Sequence, residues 1–175
     1  MTRMAGTLLV VLMLSAPAAA ADRAGVPQAA IDAALKTADC DDSLADQERY
    51  EDKPKDLTGG LTLAPILCYR GAYNYSYIFF AADPNMPAKA RLLSFARPDG
   101  DGFKPGYDLV NYEYDPNDKT MTELIKDRGV NDCGSIGSWQ WSGTDFALTA
   151  YWRKPDCDGE VLAPDDQYQV FPKHP

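Results

Sequence analysis

From Gly60 onward the chain alternates apolar and polar residues with the period of two that β-strands show. Turn residues such as Asp-Pro-Asn and Asp-Gly separate the alternating segments. The predicted strands are 61–69, 74–81, 90–96, 107–114, 119–127, 138–142, 146–153 and 167–171. Short strands at near-regular spacing predict a mainly β fold, an antiparallel β-sandwich or small barrel of about eight strands.

Two aromatic stripes predict which side chains point into the core. In the strand 146–153 one face carries only apolar residues, and we assign it to the core: Phe146, Leu148, Ala150 and Trp152. A second stripe occupies alternate positions, and we assign it to packing rather than to stacking on a sugar or a base: Tyr73, Tyr75, Tyr77 and Phe79.

The chain before Gly60 lacks this alternation. The segment 26–36 has Pro27 near its start and an Ile31–Leu35 pair four residues apart, which predicts one short N-terminal helix. Residues 41–60 are rich in Asp, Glu and Lys and predict an acidic surface segment. Without a linker to divide them, the segment 22–60 and the β core 61–171 form one predicted domain over residues 22–175.

The first residues have the composition of an export signal. Arg3 and the amino terminus are positive, residues 8–14 are apolar, and residues 18–20 are alanines. We predict a signal peptide over residues 1–21, cleavage near Ala20 or Ala21, and a periplasmic or secreted mature protein. The apolar run is shorter than the roughly 20 residues that a membrane helix needs, so no membrane span is predicted.

Export changes the expectation for the four cysteines. In an oxidising compartment an even number of cysteines predicts two disulfides. Four cysteines allow three pairings, and we prefer Cys40–Cys68 with Cys133–Cys157 because each pair closes a short interval. A zinc site built from all four is disfavoured because the sequence has no Cys-x-x-Cys pair.

Composition and charge argue against most familiar active sites. His174 is the only histidine, and its place beside the carboxyl terminus disfavours a Ser-His-Asp triad or a histidine-based metal site. The sequence has no glycine-rich phosphate loop. Its net charge of −9 disfavours nucleic acid and anionic lipid as partners. We therefore predict no catalytic residue, no metal and no cofactor, and the sequence gives no oligomeric state.

Carboxylates are the remaining candidate ligands and catalysts. Two acidic turns, 99–102 and 115–118, place carboxylate oxygens close together, but their spacing differs from that of a calcium loop, and turn formation explains both. A glycoside hydrolase built on two carboxylates stays open as an alternative, because a sequence does not show whether two carboxyl groups face each other.

Three separated segments resemble an exported bacterial family catalogued as domain of unknown function 1176. They are 71–74 (Gly-Ala-Tyr-Asn), 127–134 followed by Trp139-Gln140-Trp141, and 157–159 (Cys-Asp-Gly). The resemblance covers residues 40–171 and implies a Gram-negative periplasmic protein with two disulfides, without implying an activity. Residues 126–127 and 130–131 depart from the family, which is richer in glycine and leucine there.

The loop 127–134 has two interpretations. In the first, its glycines allow a positive φ beside a disulfide, and Arg128 pairs with a nearby carboxylate. In the second, Arg128 with Trp139 and Trp141 forms a recognition edge, since Arg and Trp are common in binding hot spots.

A local similarity to periplasmic inhibitors of C-type lysozyme adds a specific hypothesis. Residues 142–146 and 151–154 are similar to the serine-glycine and tryptophan-lysine signature of those inhibitors, at a spacing about two residues shorter. The similarity implies that Ser142 and Lys154 reach the catalytic carboxylates of a lysozyme through charge-assisted hydrogen bonds. An acidic protein is also matched in charge to a basic lysozyme.

Together these observations favour an exported, non-enzymatic binding or envelope-associated protein, with inhibition of a peptidoglycan-cleaving lysozyme as its specific form and a basic protein as its partner. The candidate binding residues are Arg128, Trp139, Trp141, Ser142 and Lys154. Two alternatives stay open, a carboxylate-dependent hydrolase acting on a cell-envelope glycan and a structural module of an envelope assembly.

Overall fold

The described part of the chain begins at a helix, and β-strands follow it. The structure is a computed structural model, and it describes residues 25–45, 49–50 and 52–172. The predicted signal peptide and His174 lie outside these residues. The short helix expected over 26–36 is confirmed as α1, Gln28–Thr37, which begins directly after Pro27. Lys36 lies in its last turn, where a cation interacts favourably with the helix dipole.

Twelve strands follow α1 in the described residues, and several have only two or three residues. They are β1 Lys55–Asp56, β2 Thr62–Arg70, β3 Tyr75–Ala82, β4 Arg91–Leu92, β5 Phe95–Asp99, β6 Gly102–Gly106, β7 Asp108–Val110, β8 Glu113–Asp115, β9 Thr120–Lys126, β10 Gly134–Trp141, β11 Phe146–Lys154 and β12 Gln169–Phe171. Short 3-10 helices lie at Pro87–Lys89 and Asp166–Tyr168.

The strands form two five-stranded sheets and one two-stranded ribbon, and all pairs are antiparallel. The first sheet has the order β1-β2-β3-β4, with β7 also paired to β3, and the second has the order β12-β11-β10-β9-β8. The ribbon joins β5 to β6. The mainly β antiparallel fold expected from the sequence is confirmed. The described sheets are compatible with the predicted sandwich and do not close into a barrel.

Two hydrophobic cores lie on the two faces of the first sheet. The core between the sheets contains Leu63, Phe79, Phe95, Met121, Trp139 and Phe146. On the opposite face α1 covers the sheet, and that core contains Val26, Ile31, Ala34, Ile66, Ile78 and Phe80. Because both faces of β3 are covered, its second half is a continuous apolar run rather than an alternating one.

Two predicted strands are divided because the chain changes sheet within them. The segment 90–96 forms β4 in the first sheet and enters the ribbon as β5, and the segment 107–114 forms β7 in the first sheet and β8 in the second. Asn111 lies at the second crossing with a φ of 43°, a left-handed conformation that asparagine tolerates. Its Nδ2 donates to the carbonyls of Tyr73 and Leu124, which fixes the crossing.

The strand predicted over 138–142 begins earlier in the structure, at Gly134. The prediction missed its first residues because Gly134 and Gly137 interrupt the apolar pattern there. Gly137 is required by packing, since the indole of Trp139 occupies the place where a Cβ of residue 137 would lie. Gly134 has a φ of 139°, which favours glycine.

In β11 the predicted core face is correct only for its first half. The register with β10 shifts beside Thr149, which leaves an extra residue on β11 and reverses the alternation. Tyr151 is therefore buried, whereas the prediction assigned the core positions to Ala150 and Trp152, which are only half-buried.

Three further features differ from the predicted pattern. The strand expected over 167–171 is shortened to β12 by the second 3-10 helix, and β1 and β6 were not predicted. The acidic turn 99–102 joins β5 to β6. Within the predicted surface segment 41–60, Arg49 and Leu57 are buried, and Arg49 donates to the Leu67 carbonyl at 3.3 Å.

Within the described ranges, no helix has the length and apolar character to cross a membrane.

Candidate functional site

The four cysteines are paired as the short intervals predicted. Cys40–Cys68 joins the chain after α1 to β2, and Cys133–Cys157 joins the residue before β10 to the segment after β11. The second disulfide lies beside the Asp132 carboxylate, whose oxygen is within 4.8 Å of both sulfur atoms. Sulfur atoms in a disulfide are not thiolate ligands, so this group does not form a metal site in the oxidised protein.

The three segments that carry the family resemblance meet at one end of the sandwich. In the β2–β3 turn, Asn74 Nδ2 donates to the Lys126 carbonyl at 2.8 Å, and the Tyr73 hydroxyl donates to the Asp127 carbonyl at 3.3 Å. The ring of Tyr73 lies against Gly129. The turn is thereby fixed to the loop that leads from β9 to the second disulfide.

Arg128 in this loop is oriented by the buried carboxylate of Asp132. Its Nε donates to Oδ1 at 2.7 Å, and its Nη2 donates to Oδ2 and, at 3.0 Å, to the Cys157 carbonyl. The Gly159 N–H also donates to Asp132, at 2.8 Å. Hydrogen bonding by Arg128, helped by Gly159, lowers the pKa of Asp132 well below its usual value. The pairing interpretation of the loop is confirmed, although 49% of the Arg128 side chain is exposed.

The tyrosine stripe beside this loop divides into a buried and an exposed half. Phe79 and Tyr77 pack into the core between the sheets. Tyr73 and Tyr75, nearer the turn, are each 39% exposed. The guanidinium of Arg70 lies 5.7 Å from the centre of the Tyr75 ring, a cation–π geometry. The stripe therefore packs in the core at Tyr77 and Phe79 and is partly exposed at Tyr73 and Tyr75.

The two candidate tryptophans are core residues. Trp139 is fully buried, and its Nε1 donates to the Ala96 carbonyl at 3.0 Å. Trp141 is 7% exposed, and its Nε1 donates to the Thr58 hydroxyl at 3.0 Å. With their rings buried and their N–H groups satisfied inside the protein, neither has surface for a partner. The recognition edge predicted around them is corrected to a core function.

Ser142 and Lys154 are not brought together. Ser142 lies in the exposed β10–β11 turn, where its hydroxyl donates to the Asp145 carbonyl at 2.8 Å. Lys154 lies at the far end of β11, so about eight residues of extended chain, roughly 26 Å, separate the two. Its side chain is 2% exposed, and Nζ donates to Asp158 Oδ1 at 2.7 Å and to the Glu160 carbonyl at 2.8 Å. The structure therefore does not bring the two residues to one point of contact, as the similarity implied.

A buried carboxylate that the sequence analysis did not single out lies in β9. Glu123 is fully buried and accepts from Arg97 Nε at 3.1 Å and Nη2 at 2.7 Å. The Val110 N–H donates to the same carboxylate, so this pair joins β9 to β5 and β7. Burial raises the pKa of Glu123, and Arg97 opposes that shift. The sequence does carry a signal for this buried carboxylate, since Glu123 lies between Met121 and Ile125 at alternate positions that face inward.

An open groove follows β9 along the edge of the second sheet. Two adjoining cavities of about 570 and 460 Å³ share Glu113 and Thr122 in their walls. The larger also includes Asp115 and Asp118, and the smaller extends to Lys126. At about 3.3 Å per residue, β9 gives the groove a length of roughly 20 Å. We call this feature the acidic groove.

Turn chemistry shapes the acidic end of the groove. Asp115 Oδ1 accepts from the Asn117 N–H at 2.8 Å, and Asp118 Oδ1 accepts from the Thr120 N–H at 3.0 Å. These bonds are those expected when aspartates form a tight turn. They hold two carboxylates beside Glu113, whose side chain is exposed.

Comparisons with known proteins agree with the resemblance drawn from the three segments. A family model described as "Protein of unknown function (DUF1176)" matches residues 7–171. The chain is 30% identical over 103 residues to an Escherichia coli protein named "Uncharacterized protein YpfG", which is 58% of this chain and 30% of that protein. The chain thus spans less than a third of the length of this relative. No solved structure gives a significant match.

Proposed function

The chain belongs to the DUF1176 family, and since that description gives no activity, we propose one from the geometry. The domain is an exported, non-enzymatic binding protein that receives a cationic protein surface in the acidic groove. The observation that carries this proposal is the placement of three carboxylates, those of Glu113, Asp115 and Asp118, in the wall of one cavity of about 570 Å³.

Charge supports a basic partner. The chain has a net charge of −9, so a basic protein is attracted over a range set by ionic strength, and an acidic one is repelled. Within the groove, lysine or arginine side chains of the partner would meet carboxylates from Glu113 to Asp118. Thr120 and Thr122, which line the same cavity, offer hydroxyl groups beside these carboxylates.

The paired state of the buried ionisable groups supports a binding rather than a catalytic function. Glu123 is held by Arg97, and Asp132 is held by Arg128. Lys154 is held by Asp158. Groups engaged in this way fix neighbouring segments to each other, whereas a general acid or base must be able to exchange a proton with a substrate.

Export is supported by two features. The N-terminal residues have the composition of a signal peptide, and both disulfides are of the kind that persists in the periplasm or outside the cell. We retain lysozyme as the model for a basic partner, but its contacts are assigned to the acidic groove, because Ser142 and Lys154 lie at opposite ends of β11.

The proposal is tested by calorimetric titration of the oxidised protein with a purified basic lysozyme as the probe. The variant Glu113→Gln/Asp115→Asn/Asp118→Asn removes three charges and keeps the turn acceptors. We expect its affinity to fall about tenfold, since each exposed ion pair contributes roughly 0.5 kcal/mol. Binding should also weaken as salt rises.

The matched control is Asp42→Asn/Asp83→Asn/Asp165→Asn, which changes the net charge equally and lies outside the groove. Two of its aspartates also accept turn hydrogen bonds that asparagine preserves. Equal affinities of the two variants would mean that net charge, and not the groove, binds the probe. A cell-wall clearing assay with the parent protein and the groove variant then shows whether binding in the groove inhibits lysozyme. Probe binding that is absent at low salt would overturn the proposal.

A further inference from the structure

Exposed apolar side chains gather at the end of the sandwich where the β2–β3 turn meets the loop after β9. Val130 and Val161 are 68% and 69% exposed, and Tyr73 and Tyr75 are each 39% exposed. The Leu162 N–H donates to the Asn131 carbonyl at 2.8 Å, which places Val161 beside the loop that carries Val130. We call this set, with Arg70 and Arg128, the tyrosine–arginine surface.

The surface is held rigidly before any partner arrives. Asn111 and Asn74 fix the turn to β9, Asp132 fixes Arg128, and the second disulfide fixes the segment that follows β11. Side chains that are already ordered lose little freedom on binding, which favours affinity. Tyrosine and arginine are also the residues enriched in interface hot spots.

Charge indicates what can approach this surface. Two copies of a chain with a net charge of −9 repel each other over most of their surfaces. At this end the carboxylate of Asp127 is neutralised by Arg153 at 2.8 Å, and that of Asp132 by Arg128. Repulsion between copies is therefore reduced here, where apolar contact is also available.

The surface carries groups of both charges around its apolar centre. Arg70 and Arg128 are exposed, and Asp156 and Glu160 are exposed on the segment that bears Val161. A two-fold axis through such a patch brings the same groups from both copies together, so that cations of one copy meet a surface that also carries carboxylates. We propose that the tyrosine–arginine surface is the interface of a symmetric homodimer.

This arrangement leaves the acidic end of the groove usable. The carboxylates of the groove lie beside the β8–β9 turn, whereas the tyrosine–arginine surface begins at the other end of β9, near Lys126. A dimer would present two acidic ends to a partner, which raises the apparent affinity for a partner with more than one basic site. The proposal itself rests on a different surface and does not require the groove to bind anything.

Sedimentation velocity of the oxidised protein across a concentration series tests the dimer. We expect a reversible monomer–dimer equilibrium that strengthens as salt rises, because screening of the repulsion between two chains of net charge −9 outweighs the small contribution of exposed ion pairs across the interface. This is the opposite salt dependence from that of the groove with its cationic probe, so failure of either proposal is visible separately. Val130→Asp and Val161→Asp should each weaken the dimer about tenfold or more, since each places a carboxylate in an apolar contact.

The controls are Met86→Asp and Phe103→Asp, which add the same charge at apolar residues that are 43% and 56% exposed elsewhere. They should leave the dimer unchanged, apart from the general effect of one charge. Thermal unfolding of all four variants verifies that each is folded. A chain that stays monomeric up to millimolar concentration at high salt overturns the proposal, and so does a dimer that the two valine variants weaken no more than the controls.

Discussion

Loss of the second disulfide should weaken the fold and the proposed dimer interface together. The perturbation is Cys133→Ser/Cys157→Ser, which opens a loop whose ends are 24 residues apart in sequence. In the chain-entropy relation, a loop of this size contributes about 3.5 kcal/mol to the free energy of unfolding. For a domain of this size each kcal/mol shifts the thermal midpoint by about 2–4 °C. The expected decrease is therefore about 10 °C.

Cys40→Ser/Cys68→Ser provides a matched comparison. Its loop separation of 28 residues gives nearly the same entropic contribution, so the two variants should lose similar stability. They should differ in self-association, because only Cys133–Cys157 fixes the segment that carries Val161. Differential scanning calorimetry measures the first effect, and sedimentation measures the second.

Two results would refute this reasoning. If the midpoint of the Cys133→Ser/Cys157→Ser variant falls by less than about 3 °C, the loop-entropy contribution is wrong for this chain. If both variants lose self-association equally, local anchoring by the second disulfide does not matter to the interface. Titration of free thiols in the parent protein before and after reduction verifies that both bonds were present.

Two further predictions concern single charged residues. In the Asp132→Asn variant, the free energy of unfolding should depend less on pH in acid. Pairing lowers the pKa of Asp132. Its contribution to stability is therefore present above its unfolded pKa of about 4 and is lost as pH falls below that value. Chemical denaturation across acidic pH measures this, and an unchanged pH profile would contradict it. Lys154→Ala should lower the thermal midpoint, because the buried ammonium anchors Asp158 and the Glu160 carbonyl. The variant should bind lysozyme with the affinity of the parent protein. Reduced binding with unchanged stability would instead favour the inhibitor signature.

The elements that depend on local pattern were predictable from the sequence. The helix after Pro27 and the long strands β2, β3, β9 and β11 lie close to the residues where the sequence pattern predicts them. The disulfide pairing followed from the short intervals between successive cysteines. Each of these inferences uses residues near each other in the chain, and each is confirmed by the structure.

The features that depend on distant contacts were not predictable. The burial of Lys154 depends on a turn of the segment after β11, which brings back Asp158 and Glu160, and no local pattern shows this turn. The ring of Trp139 crosses Gly137 and enters the core, and no local pattern shows this either. The acidic groove is only partly local, since Glu113 and Asp115 share one short strand, whereas Ile136 and Leu162 reach its wall from distant parts of the chain.

The two sheets differ in how continuous they are along the chain, which has a consequence for how the molecule folds. The second sheet, β8 to β12, is one continuous part of the chain in which each strand pairs with its neighbour in sequence, whereas the first sheet receives β7 only after the ribbon of β5 and β6. Closing that longer loop has an entropic cost that its contacts offset late, so the pairing of β7 with β3 should form after the hairpins of the second sheet. Both sheets contribute to one core, in which Phe79 of β3 and Trp139 of β10 are buried. Hydrogen exchange in β3 and in β10 should accordingly report one shared opening of the whole domain.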